Sequence, residues 1–69
     1  MNFSEALREL KNGCPFRRKG WNGKDMHIML VRSENPTFND YLIIYGTDKK
    51  YTPWVASQVD LLAEDWEIV

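Results

Sequence analysis

A chain of 69 residues makes one domain with a small core, since a fold of this length buries only about 60% of the surface its unfolded chain exposes. One cysteine excludes a disulfide framework, and one histidine beside it fills a zinc site only with help from several carboxylates, which leaves self-association as the staple for so short a chain. A formal net charge of −1 excludes general nucleic-acid binding, which draws on a surplus of Lys and Arg.

No apolar run approaches the ~20 residues that span a bilayer, and a lone cysteine with no signal-like start reads as the reducing cytoplasm. Charge is unevenly spread: residues 1–25 carry six basic and three acidic groups, whereas residues 53–69 carry four acids and no Lys or Arg. Opposed ends attract one another, within a subunit or between subunits. Three each of Trp, Tyr and Phe give more apolar area than a core this small uses, so part of it serves an interface or a pocket.

Asn2-Phe3-Ser4-Glu5 has the form of a capping box, with Phe3, Ala6, Leu7 and Leu10 making one apolar stripe behind it and Asn12-Gly13 as a stop. The spacing predicts a helix over residues 3–11, too short to be stable alone, so it packs on a sheet. Phe16-Arg17-Arg18 reads as a brief strand after Pro15. The turn Gly20-Trp21-Asn22-Gly23 follows, Asn-Gly being a pair that accepts positive φ. Met26 to Val31 reads as a strand with Met26, Ile28 and Leu30 on one face, His27, Met29 and Val31 on the other, and both faces at least partly covered.

Residues 32–40, with Ser33, Asn35, Pro36 and Asn39, have the chemistry of a loop. Tyr41 to Tyr45 is a β-rich run, Gly46-Thr47-Asp48 a turn, and Lys49 to Thr52 its partner strand. Ser57-Gln58-Val59-Asp60 repeats the capping box and opens a short helix through Leu61, Leu62 and Ala63, after which Asp65 to Val69 alternates as a last strand. The order αββββαβ predicts an α+β fold: an N-terminal helix packed on a small twisted antiparallel sheet of about five strands, with a short second helix before the C-terminal strand.

Two tryptophan-centred clusters stand out, Arg18 to Lys24 and Pro53 to Gln58 with Asp60. Indoles set among glycine, amide, hydroxyl and basic groups suit a flat, charged ligand better than covalent chemistry. Each cluster also has a plainer reading. Trp21 caps one end of the fold, Trp54 anchors the helix after it, Asp60 and Ser57 are a capping pair, and the basic run 17–24 is a solvated face, with Trp66 as core. His27 and Cys14 have no third group to orient them as base and nucleophile, and adjacent Glu64 and Asp65 point to different sides. Neither metal-ligand spacing nor a phosphate-cradling glycine loop is present, so no catalytic residue, cofactor or metal is assigned.

Asn2-Phe3-Ser4-Glu5-Ala6-Leu7, the run Arg18 to Lys24 and the run Pro53 to Trp66, in that order, resemble the Thoeris anti-defence sponge family of phages and prophages. The likeness covers about residues 1–26 and 53–69; residues 27–52 are shorter than is usual in that family. It implies a homo-oligomer, dimer or tetramer, that captures a cyclic ADP-ribose signalling nucleotide in the host cytoplasm without turning it over, so that the immune effector stays off. A related domain among anti-CRISPR proteins implies a second reading, a protein–protein inhibitor of a host defence nuclease. A phage structural or regulatory protein with no small ligand is a third.

For nucleotide capture, Trp21 and Trp54 are the stacking platforms, with Phe3 as a third aromatic where assembly brings it near. Asn22 reads a base edge or ribose hydroxyls, and Asp60 accepts from ribose hydroxyls. Arg18, Lys24 and the N–H groups that open the helix after Ser57 take the phosphate charge.

Overall fold

The computed structural model describes residues 1–69. Helix α1 (Phe3–Lys11) begins in the predicted capping box: Asn2 Oδ1 accepts from the Glu5 N–H at 2.9 Å, and Glu5 Oε1 from the Asn2 N–H at 3.1 Å. It stops at Gly13, whose φ of +94° lets the Gly13 and Cys14 N–H groups turn back to the carbonyls of Leu10 and Glu9. Ala6 and Leu10, one turn apart on its apolar stripe, are fully buried.

Strands β1 (Phe16–Arg18), β2 (His27–Val31), β3 (Tyr41–Tyr45) and β4 (Tyr51–Pro53) come next, then α2 (Gln58–Leu62) and β5 (Trp66–Ile68). They form one sheet in the order β4-β3-β2-β1-β5, antiparallel throughout. The last strand therefore lies beside the first, with Arg17 opposite Glu67 and Arg18 opposite Trp66. That pairing brings the basic start of the chain against its acidic end, and the attraction is satisfied within one chain. Arg17 meets Glu67 at 2.9 Å, and Arg18 meets Asp65 at 2.8 Å and Asp60 at 3.1 Å.

The two faces of the sheet differ. Phe16, Ile28 and Trp66 turn toward α1 and with Ala6 and Leu10 are the five fully buried residues; Leu42 and Ile44 extend that core across β3. Strand alternation sends His27, Met29 and Val31 to the opposite side. The pairing of His27 with Tyr45, Met29 with Ile43 and Val31 with Tyr41 continues that outer face, and Tyr51 and Pro53 extend it onto β4. No helix covers it.

Two turns differ from their sequence reading. Asn22-Gly23 makes no tight hairpin: eight residues join β1 to β2, and the positive φ falls at Asp25 (+67°) rather than on the Asn-Gly pair. This turn leaves Met26 outside the strand, which starts at His27. At the β3–β4 turn Lys49 takes φ +62°, the Lys49 N–H donates to the Gly46 carbonyl and the Gly46 N–H to the Lys50 carbonyl, each at 3.0 Å. The three residues inside that loop delay the return strand to Tyr51 and carry it to Pro53.

Candidate functional site

Beneath the β1–β2 connection lies a cavity of about 320 Å3, walled by Arg17, Arg18, Lys19, Trp21, Gly23, Lys24, Asp25, Met26 and Glu67. Four cations and two carboxylates line the wall, but Arg17 is paired with Glu67 and Arg18 with Asp60 and Asp65, so its unpaired cations are Lys19 and Lys24, with Trp21 and Met26 as its apolar part. Geometry and charge suit an anion that carries a flat ring.

Trp66 is the post behind this site. Trp21 meets it edge-on with ring centroids 5.4 Å apart, Trp54 meets it edge-on at 6.0 Å, and Phe3 leans on it at 5.4 Å. Its own indole Nε1–H donates to the Asp60 carbonyl at 3.0 Å, which ties α2 to β5. Trp21 and Trp54 thus share one buried neighbour and do not pack on each other within a chain.

Arg18 stands partly buried between two acids. Its Nε donates to Asp65 Oδ1 at 2.8 Å and its Nη1 to Asp60 Oδ1 at 3.1 Å, while the second Asp65 oxygen accepts from the Gly20 N–H at 3.0 Å. One carboxylate therefore joins the end of β1 to the loop that carries Trp21. The hydrogen bond to Asp65 raises the Arg18 guanidinium above its ordinary range, against the effect of burial and with help from Asp60. Burial pushes the Asp60 carboxyl up, but hydrogen bonds from Ser57 and Arg18, with the Trp21 indole adding, outweigh it and hold the group low. Asp65 is held low chiefly by Arg18, with the Gly20 N–H adding.

Of the residues assigned to a ligand from sequence, Arg18, Trp21 and Lys24 come together in the cavity wall. Phe3 and Trp54 stand against Trp66 and face each other across 6.1 Å, outside that wall. Ser57 and Asp60 form the capping box of α2, the Ser57 Oγ accepting from the Asp60 N–H at 3.1 Å and Asp60 Oδ2 from the Ser57 N–H at 3.3 Å. Asn22 is exposed in the loop beside Trp21.

Arg17, Lys19, Gly23, Asp25, Met26 and Glu67 complete the wall without having been assigned to a ligand from sequence. Arg17 and Lys19 were legible as part of the basic run. Glu67 was not, because only the pairing of β5 with β1 carries it there.

Fold and site together define an α+β protein with one helix-backed antiparallel sheet and an indole-walled, cationic cavity. Residues 1–69 match the family model of the Thoeris anti-defense 2-like domain, and the chain belongs to that family. It is similar to Thoeris anti-defense 2 of Bacillus phage SP01, at 40% identity over an alignment of 84 positions that takes in 100% of this chain and 94% of the relative. That alignment is longer than this chain, so the relative holds residues with no counterpart here. Family membership supports a phage anti-defence role. No helix is long and apolar enough to cross a membrane.

Proposed function

We propose that this chain serves phage anti-defence by capturing a cyclic ADP-ribose-type signalling nucleotide in the host cytoplasm and holding it without turnover. The observation that carries the reading is the cavity itself, which brings Trp21 together with Lys19, Lys24 and two arginines in one wall. The base stacks on that indole, which packs T-shaped with Trp66, at something like 1–3 kcal/mol. Lys19 and Lys24, exposed and without carboxylate partners, meet the pyrophosphate, as does whatever Arg17 can release from its exposed pair with Glu67. Arg18 adds field from behind, its Nε and Nη1 engaged by Asp65 and Asp60. Asn22, beside the indole, reads a base edge or ribose hydroxyls.

A volume of about 320 Å3 sits at the low end of small-molecule sites. One chain therefore encloses part of such a nucleotide, and a neighbouring copy in a dimer or tetramer closes over the rest. Phe3, Trp54 and the start of α2 at Ser57 and Asp60 are the groups such an assembly would bring to the ligand. Capture that silences a signal requires sub-micromolar affinity, roughly −8 kcal/mol or tighter, so these contacts act jointly.

Calorimetry with a cyclic ADP-ribose nucleotide tests the reading. Saturable heat that disappears in Trp21→Ala, with intact nucleotide released when the loaded protein is heat-denatured, is the expected result. A hydrolysed nucleotide in the supernatant refutes holding without turnover. The uncovered tyrosine face favours one second reading, a protein–protein inhibitor of a host defence nuclease. No nucleotide heat together with stoichiometric capture of a purified nuclease would select it.

A further inference from the structure

The rim of the cavity from Gly23 to Met26 is fastened by a side chain that lies outside the wall. His27 Nδ1 stands 2.8 Å from the Asp25 carbonyl oxygen, and His27 Nε2 stands 3.2 Å from Tyr51 Oη. A carbonyl only accepts, so Nδ1 carries the hydrogen, and in the neutral ring Nε2 is the nearer of two acceptors for the Tyr51 hydroxyl, the other being Met29 Sδ at 3.9 Å. The imidazole is stacked on Tyr45 at 5.2 Å with 23° between planes, and Tyr51 meets it edge-on at 5.8 Å. Its direction is therefore set by β3 and β4.

The rim has need of such a hold. Asp25 sits at φ +67°, a left-handed conformation that costs Asp less than most residues with a Cβ and that a hydrogen bond to its carbonyl helps to hold. The β3–β4 hairpin touches the rim a second time at Gly23. A Cβ there would collide with the Met26 side chain and come within 2.8 Å of Thr47 Cγ2. If Asp25 relaxed to a negative φ, the chain direction would change between Lys24 and Met26, both of which line the cavity.

We infer that His27, braced by Tyr45 and Tyr51, is a positioning residue that holds the Gly23–Met26 rim, and with it Lys24, where the phosphates of the nucleotide arrive. The inference rests on the capture reading of the cavity. Its distinguishing feature is that the ring acts through Nδ1 on a backbone carbonyl, not through contact with the ligand.

The test uses the full chain with cyclic ADP-ribose as the probe. His27→Phe keeps a ring on Tyr45 but removes the donor, and its affinity falls about tenfold, one hydrogen bond's worth, with the melting temperature nearly unchanged. In His27→Asn the amide nitrogen lies close to the position of Nδ1, so affinity returns to within about threefold of wild type. Amide exchange at Met26, whose N–H donates to the Gly23 carbonyl, reads the rim with no ligand present. Exchange accelerates in the Phe variant and recovers in the Asn variant.

If wild type ignores cyclic ADP-ribose, the capture reading fails while the exchange pattern still decides the role of His27. A Phe variant that exchanges at the wild-type rate overturns the inference, as does an Asn variant no better than Phe. Should the Phe variant fail to fold, Tyr51→Phe replaces it: exchange at Met26 is expected to rise, and an unchanged rate counts against the brace.

Discussion

The two faces of the sheet are made from similar side chains and meet opposite ends. On the inner face Phe16, Ile28 and Trp66 lie under α1 with at most 2% of their surface exposed. On the outer face Met29, Val31, Ile43 and Tyr45 are only partly covered, and Tyr41 and Tyr51 are about half exposed, at 50% and 49%. One helix makes the difference. A chain of 69 residues has apolar area for two layers and a second layer for only one side, so stability gathers on the inner face and contact chemistry is left on the outer one.

The hardest way to break that contrast is Trp66→Ala. Trp66 carries Phe3, Trp21 and Trp54 and donates to Asp60, so its loss should cost about 3–5 kcal/mol, comparable to the whole stability of so small a domain. Circular dichroism at room temperature should report a largely unfolded chain; a folded variant would mean that the inner face is not where stability resides. Arg18→Ala comes next, because it removes the cation shared by Asp60 and Asp65, and the midpoint of a urea titration should fall clearly below that of wild type. Arg17→Ala, at an exposed pair, should cost less than about 1 kcal/mol and so marks the boundary between the two faces.

Acid sharpens the same contrast. Asp60 and Asp65 titrate below their unfolded value, so the stability they contribute is complete above about pH 4 and is lost as pH falls through their lower folded values. Melting temperatures recorded from pH 7 down to pH 2 should therefore hold until about pH 4 and then drop. Asp60→Asn, lower in stability throughout, should drop less steeply; an equally steep fall would assign the acid sensitivity elsewhere, for instance to Asp40, held low by the Ser33 N–H with Arg32 adding.

A lysine in place of Ile43 probes the outer face directly. The monomer should lose about 1 kcal/mol or less, and a lower mass by light scattering would place an association surface on this face in addition to the one over the cavity. An unaltered mass in solution would move the association surface off this face. The smallest effect on stability belongs to Lys24→Ala, within about 0.5 kcal/mol of wild type, although nucleotide affinity in calorimetry should fall severalfold.

The two helices were the most legible elements because each carries its own punctuation: Asn2 and Glu5 at one start, Ser57 and Asp60 at the other, and Gly13 at the first stop. Their hydrogen bonds span three to five residues, so a local pattern contains all the partners. Tyr41 to Tyr45 was equally plain from its β-branched and aromatic run. The β1–β2 connection was less legible. Asn22-Gly23 is the local signal for a left-handed turn, yet the left-handed residue is Asp25, held by His27 through a ring that β3 and β4 orient. A turn stabilised from another strand does not announce itself in its own residues.

By itself the amino-acid sequence determined the helix ends, the strand runs, the attraction between a basic start and an acidic end, and the two indole clusters, because spacing and charge are local or additive properties. Tertiary structure alone decided that β5 lies beside β1, that Arg18 is clasped by Asp60 and Asp65, and that Glu67 joins Trp21 and Lys24 around one cavity. Those outcomes depend on which strand edges pair and in what register, and that choice is made by burial of the whole inner face at once rather than by any segment of the chain.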